Sequence, residues 1–417
     1  MRRLKLVSLY TGVGGLDYGF EAAGFETAVA LEMDRDCCGS LRRNRPWPVI
    51  HADIGDVTSD RILDDAGARP GEIDLLIGGP PCQPFSKSGY WATGDAKRLL
   101  DPRASTLGAY LRVLQETLPR AVLLENVEGL GYRRKSEGLD LIGETLRQIN
   151  AEAGTRYRAS VAVLNAADFG VPQLRRRLFV IAARDGSLFQ FPKPTHVDPE
   201  QASADDSRPR YTTAWDALHD LPAEPNEDLR ARGRWADLLP SIPEGCNYLW
   251  HTDRMGGEPL FGWRRRYWSF LLKLAKDRPA WTLQAQPGPA TGPFHWLNRR
   301  LSTREMLRLQ TFPEHLELVG AYGSIQRQLG NAVPSLLAEV LAREIRGQLL
   351  GSPLRGHKLK LKVSPALRPC PPPEATGAVP AHHLKRRGTH EAHPGTGLGP
   401  RAASRGAAQE IFELLPE

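Results

Sequence analysis

The chain has 417 residues, 41% of them hydrophobic and 25% charged, with a net charge of +7 and a pI near 9.2. These figures describe an ordinary globular chain of about two domains and a tail, and no apolar run approaches the ~20 residues of a membrane-spanning helix. The five cysteines are odd in number and contain no C-x-x-C pair, which argues against a disulfide framework or a zinc site and for a reducing cytoplasm. The basic balance favours an anionic partner, nucleic acid first. Residues 351–417 hold ten Lys and Arg against five Asp and Glu, so most of the excess lies in the tail and charge alone does not decide the partner. The start, Met1-Arg2-Arg3, resembles a secretory leader, but glycines and Asp17 break the apolar run after it, and no signal peptide is expected.

The run Leu4–Leu9 reads as a buried first strand, Thr11-Gly12-Val13-Gly14-Gly15 as the turn out of it, and Leu16–Ala23 as a helix stopped by Gly24. Strand, glycine turn and helix open a Rossmann-like unit, although a plain tight turn would read the same. Thr27–Leu31 predicts a second strand ending at Glu32-Met33-Asp34, and Val49–Ile54 a third with Asp53 at its end. Glycines and acids at three successive strand ends predict a nucleoside pocket. No G-x-x-x-x-G-K-[ST] is present, which excludes a P-loop.

Asp74–Ile77 predicts a short buried strand that stops at Gly78-Gly79-Pro80-Pro81-Cys82-Gln83-Pro84-Phe85-Ser86. Two prolines stiffen the loop and place one cysteine at a strand's end, where α/β sheets carry their chemistry. A polar stretch follows to Arg103, then a helix from Ser105 to about Leu118 and a strand, Ala121–Leu124, closing with Glu125-Asn126-Val127. A strand over 157–165, Gln173 with Arg175-Arg176-Arg177, and a strand Leu178–Ala182 complete about seven strands. The prediction is a doubly wound, mostly parallel α/β sheet.

Near residue 190 the composition changes to proline, acid and tryptophan, with a basic cluster at Arg264-Arg265-Arg266. A small domain with a tryptophan core and a nucleic-acid groove are equally compatible with that pattern. Residues 302–319 predict a helix capped by Ser302 and Glu305, Gly330–Pro334 a turn, and Ser335–Leu350 an amphipathic helix. The expected domains are 1–190, 191–325, a returning segment 326–350, and a mostly disordered basic tail over 351–417.

The ordered set Gly79–Ser86, Glu125-Asn126-Val127, Gln173-x-Arg175-x-Arg177, Arg300–Glu305 with Leu309–Pro313, and Gln328–Pro334 resembles the DNA (cytosine-5)-methyltransferases, over roughly residues 4–350. Ser8 and Tyr10 depart from that family's first motif, which usually reads Asp-x-Phe. The resemblance implies a Rossmann-like S-adenosylmethionine-dependent methyltransferase fold with a target-recognition domain over 191–295. It assigns Cys82 as nucleophile toward carbon 6 of a cytosine flipped out of duplex DNA. Glu125 becomes the acid at ring nitrogen 3, and Arg175 a source of positive charge.

It places the cofactor over Tyr10, Gly12, Gly14 and Gly15, with Glu32 on the ribose, Met33, Asp53 and Ile54 around the adenine, and Asn331 and Ala332 closing the pocket. Gln83, Ser86, Gln173, Arg177 and Thr282 fall at positions expected to meet DNA. No metal is expected. The implied setting is a monomeric, cytoplasmic, nucleoid-associated enzyme of a restriction-modification system with a partner endonuclease. An RNA (tRNA) cytosine-5 methyltransferase on the same scaffold and a non-catalytic DNA-binding regulator are the alternatives.

Overall fold

A computed structural model describes residues 3–81, 105–128, 137–222, 226–262, 268–354, 356, 358–385 and 387. The first strands form on mostly apolar runs, interrupted by Lys5 and Ser8 in the first and by Glu26 and Thr27 in the second, as largely buried parallel strands allow. They are β1 (Leu4–Leu9), β2 (Phe25–Glu32), β3 (Val49–His51) and β4 (Leu75–Gly78). Next come β5 (Ala121–Val127), β6 (Arg158–Asn165), the two-residue β7 (Gln173–Leu174) and β8 (Arg176–Ala183). Among the described residues the main sheet has seven strands in the order β3-β2-β1-β4-β5-β8-β6. Pairing is parallel from β3 to β5 and antiparallel where β8 joins β5 and β6. The doubly wound, mostly parallel sheet expected from the sequence is therefore present.

Helices cover both faces. They are α1 (Gly15–Ala22), α2 (Arg35–Asn44), α3 (Ser59–Asp65), α4 (Ser105–Thr117) and α5 (Glu137–Ala153). One layer of core joins Val7, Leu31, Ile62, Leu76 and Val122 to Leu114 and Ile149. The other joins Leu6, Phe20, Ile77, Leu123 and Phe179 to Leu337, Leu341 and Ile345.

Beyond β8 regular structure is sparse: α6 (Ala214–Leu218), the two-residue β9 (Ala280–Trp281), α7 (Thr303–Leu309) and α8 (Tyr322–Asn331). The helix expected over 302–319 starts at its capping box, Ser302 with Glu305, but ends at Leu309. Thr311 turns to φ 52°, and the Gln310 side chain is drawn into the core toward the carbonyl of Leu329. A helix running on would hold both residues in the right-handed region.

The last long helix, α9 (Ser335–Gln348), lies against α1. Two glycines permit the approach. A Cβ on Gly15 would fall 2.3 Å from the Val333 carbonyl, and one on Gly19 would fall 2.4 Å from both the Ala338 Cβ and the Ser335 carbonyl. Gly19→Ala is therefore expected to lower stability by about 1–3 kcal/mol, because backbone must shift to admit the methyl. Gly108→Ala in α4 meets nothing within 4 Å, so it should be neutral or stabilising by up to ~1 kcal/mol. Paired denaturant midpoints check the contrast.

Past α9 the described chain carries little regular structure. Residues 358–385 follow a fixed path across the molecule and end in the short α10 (Ala381–Leu384); all but residue 386 of 385–387 is described, and the chain from 388 lies outside the described residues. Its anchors are scattered backbone amides and single side chains, which leave no periodicity in the sequence.

Candidate active site

The parallel strands β1, β2, β4 and β5 end along one edge of the sheet, and their last residues supply the site. At the end of β4, Gly78 has no room for a side chain: a Cβ would lie 2.8 Å from the Leu9 carbonyl and 2.9 Å from the Tyr110 ring. A Cβ on Gly79 would lie 2.8 Å from Glu125 Oε2, so the carboxyl rests against the backbone that leads to Cys82. Asn126 Nδ2 donates to the Pro80 carbonyl at 3.2 Å, and the Thr106 hydroxyl donates to the Pro81 carbonyl at 3.0 Å. These bonds fix the entry of the loop. Cys82, Gln83 and Ser86 lie outside the described residues.

Glu125 is 9% exposed. Its Oε1 meets Arg177 Nε at 3.0 Å. Burial pushes its pKa above the ordinary carboxylate range, and Arg177, then Arg175, pull against that rise. Burial likewise lowers Arg177 from the usual guanidinium value, with Glu125 opposing. Register explains the contact. Glu125 pairs with Phe179 across the antiparallel ladder, and Arg177 lies two residues from Phe179 on the same face, a diagonal neighbour.

Arg175 and Gln173 are placed differently from the roles expected for them. Arg175 is 0% exposed, and its guanidinium donates to the carbonyls of Leu283 at 3.3 Å and Gly330 at 2.8 Å. It acts on Glu125 only through space, whereas Arg177 touches it. Gln173 is also 0% exposed. It donates to the Leu309 carbonyl at 3.2 Å and to Gln310 Oε1 at 3.1 Å, and accepts from the Leu283 amide at 3.1 Å. No atom of Gln173 is free to meet DNA. Thr282 donates its hydroxyl to the Leu174 carbonyl at 2.6 Å, beside the β7–β9 pairing. Of the alternating motif, the first two members tie the sheet to the segments around 283, 310 and 330, and the third reaches the acid.

The glycine turn builds a second concavity at the same edge. Tyr10, Gly12 and Gly14 take φ of 53°, 56° and 86°, a left-handed run that glycine accommodates and that turns the backbone sharply. Glu32 Oε2 accepts from the Gly12 amide at 2.7 Å, while Oε1 accepts from the amides of Met33 at 2.9 Å and Asp34 at 2.8 Å. Burial raises its pKa and these three bonds oppose the rise. A carboxylate has about four lone-pair sites, so Oε2 retains one for a ligand hydroxyl.

Met33 is 63% exposed and offers an apolar face beside it. Asp53 is exposed, with Oδ1 accepting from the Gly55 amide at 2.8 Å. The Ile54 side chain is buried in the core, and its carbonyl accepts from the Arg112 guanidinium at 3.0 Å. Asn331 is exposed at the end of α8, and Ala332 packs toward Gly15. The set suits an adenine nucleoside: a hydroxyl acceptor, an apolar face and glycines that let a ligand approach.

Thr106 was not singled out in the sequence, yet it joins the two halves. Its carbonyl accepts from the Tyr10 hydroxyl at 2.7 Å while its own hydroxyl holds Pro81. Nothing in the sequence near Thr106 marks it, because both partners lie far along the chain.

The profile described as C-5 cytosine-specific DNA methylase matches residues 4–347. The Type II methyltransferase M.SacI of Streptomyces achromogenes is 40% identical over 371 residues, covering 83% of this chain and 93% of that protein. The Type II methyltransferase M.AquIA of Picosynechococcus is 46% identical over 225 residues, covering 52% and 89%. Among solved structures, a prophage-encoded DNA modification methyltransferase from E. coli shares the fold with a TM-score of 0.57 at 23% identity, covering 84% of this chain and all of that one. No helix among the described residues is long and apolar enough to cross a membrane.

Proposed function

The chain belongs to the C-5 cytosine-specific DNA methylases, and from that premise we propose that Cys82, Glu125 and Arg177 carry the reaction on a cytosine turned out of the duplex. Carbon 5 of cytosine is a weak nucleophile until a thiolate adds at carbon 6. The Cys82 thiolate forms that bond, and Glu125 delivers a proton to ring nitrogen 3 as charge develops there. Glu32 would hold the ribose of S-adenosylmethionine and Met33 would face its adenine, and the bound cofactor would supply an electrophilic methyl for carbon 5, leaving as S-adenosylhomocysteine. The carbon 5 proton then leaves to a base outside this set, and Cys82 is eliminated. No step calls for a metal. The observation that carries this reading is the contact of the Glu125 carboxyl with Gly79, three residues before Cys82, with Arg177 on its other oxygen.

In this reading Arg177, rather than Arg175, orients Glu125 and balances its charge, and Arg175 holds the scaffold. A cytosine inside a duplex cannot reach these atoms, so extrusion precedes chemistry. Gln83, Ser86 and Thr282 are proposed to flank the extruded strand, with the 191–325 region reading sequence in the major groove. The Type II relatives support a place in a restriction-modification system; a partner endonuclease for the same site, a monomeric state and action at the nucleoid belong to the proposal alone. Tritiated methyl transfer to duplex DNA and to tRNA, followed by bisulfite sequencing, tests the substrate. Label in duplex DNA at cytosine carbon 5 is expected. Label confined to tRNA would overturn it.

A further inference from the structure

We infer that residues 358–385 form an intramolecular strap that positions the small domain for target recognition. The match to the methylase family ends at residue 347, and the strap lies wholly beyond it. It begins on the catalytic side. The Lys360 and Leu361 amides donate at 2.9 Å to the carboxylate of Glu339, which is 0% exposed on α9, and Leu359 and Leu361 pack on the core between α9 and the sheet.

The strap then crosses to the small domain. The Ala366 amide donates to Asp216 Oδ1 at 2.8 Å, and Trp215 Nε1 donates to the Arg368 carbonyl at 3.1 Å. Lys276, only 3% exposed, bridges Glu244 at 2.7 Å and the strap's Glu374 at 2.9 Å, and donates to the Pro372 carbonyl at 3.1 Å. The Gly377 amide donates to the Pro240 carbonyl at 2.9 Å.

The far end closes a small core. Val379 and Leu384 pack against the cluster of Leu238, Leu239, Ile242, Leu260, Leu271 and Phe294. Asp237 meets His383 Nε2 at 2.9 Å and His382 Nε2 at 3.0 Å, and the His383 ring stacks on Trp235 at 5.3 Å. Arg387 reaches Glu258 at 2.6 Å.

The physical need is visible in the domain itself. Between β8 and α7 the described residues hold one five-residue helix, one two-residue strand and short 3-10 turns, so few ladder bonds brace it. A small core with little regular structure is marginal without staples. The strap supplies apolar cover, a partner for a buried lysine, and a further tether to the catalytic domain beside the β7–β9 pairing and the Gln173 and Arg175 contacts. It therefore restricts how the small domain can tilt over the edge that carries Glu125.

The inference rests on the methyltransferase reading, and the test separates the two. A chain ending at Val363 keeps the partners of Glu339 and loses the small-domain half of the strap. A chain ending at Arg387 keeps both. The Val363 form should bind S-adenosylmethionine within about twofold of the full chain, with its KM for duplex DNA raised at least about tenfold. It should also methylate outside the full chain's bisulfite motif and be cleaved faster by protease within 191–300. The Arg387 form should match the full chain. If the Val363 form does not fold, full-length Val379→Asp, which drives a charge into the same core, should shift the same readouts in the same direction.

A Val363 or Val379→Asp form with unchanged DNA KM, motif and protease pattern would overturn the strap. A full chain that methylates no DNA would overturn the substrate reading instead, and the protease comparison would still decide the strap.

Discussion

Cys82→Ala should abolish methyl transfer to DNA while leaving cofactor binding intact. Without a nucleophile at carbon 6, carbon 5 never becomes electron-rich enough to take the methyl, and removal of an essential nucleophile costs several orders of magnitude in rate, roughly 10⁶ in the best-studied triads. The described neighbours of Cys82 are held independently of its thiol. Pro80 is bonded to Asn126, Pro81 to Thr106, and Gly79 packs on Glu125. The variant should therefore fold, bind S-adenosylmethionine and bind duplex DNA at close to wild-type affinity. The readouts are tritium incorporation, and trapping of wild-type enzyme as a covalent adduct on duplex DNA carrying 5-fluorocytosine, which cannot shed its carbon 5 substituent as a proton. Residual methylation above about one part in a thousand by the alanine variant would place the nucleophile elsewhere.

Glu125→Gln is expected to lower kcat by about 10²–10⁴, the span of a general acid's contribution. The amide keeps the shape and can still donate a hydrogen bond, but it cannot release a proton to nitrogen 3. The direction of the pKa shift sets the pH profile. Burial holds the Glu125 carboxyl above its ordinary range, so the protonated form persists to higher pH than in a free carboxylate and is lost as pH rises through that raised value. Activity should therefore fall on the alkaline side as Glu125 gives up its proton. The glutamine variant should lose that alkaline fall. Arg177→Gln removes the contact that pulls the carboxyl down, so its alkaline fall should move to higher pH. An unchanged limb in both variants would remove Glu125 from the proton path.

Local patterns carried the fold well. β1, the glycine turn and α1 follow from apolar runs and glycines within twenty residues, and the end of β5 brings Glu125 into view directly. What the sequence did not show depends on distant partners. Gln173 has the residue type of a DNA contact and Arg175 that of a positive charge beside the base, but Leu283, Leu309 and Gly330 lie more than a hundred residues away and bury them. Arg177 becomes the partner of Glu125 only once the antiparallel register of β5 and β8 is known. The strap leaves no mark in the sequence because Glu374, Val379 and His383 each act singly rather than as a periodic stripe.

The packing of α9 on α1 sets an order of events during synthesis. The Ser335 hydroxyl donates to the Gly15 carbonyl across 320 residues of chain, and Val333 seals the close approach to Gly15. A ribosome adding about 5–20 residues per second takes roughly 15–60 s to cover that interval. Until then the glycine turn stands without the α9 backbone that packs on it. A chain cut short before Ser335 would lack that packing and should be silent, whereas one that ends beyond α9 keeps it.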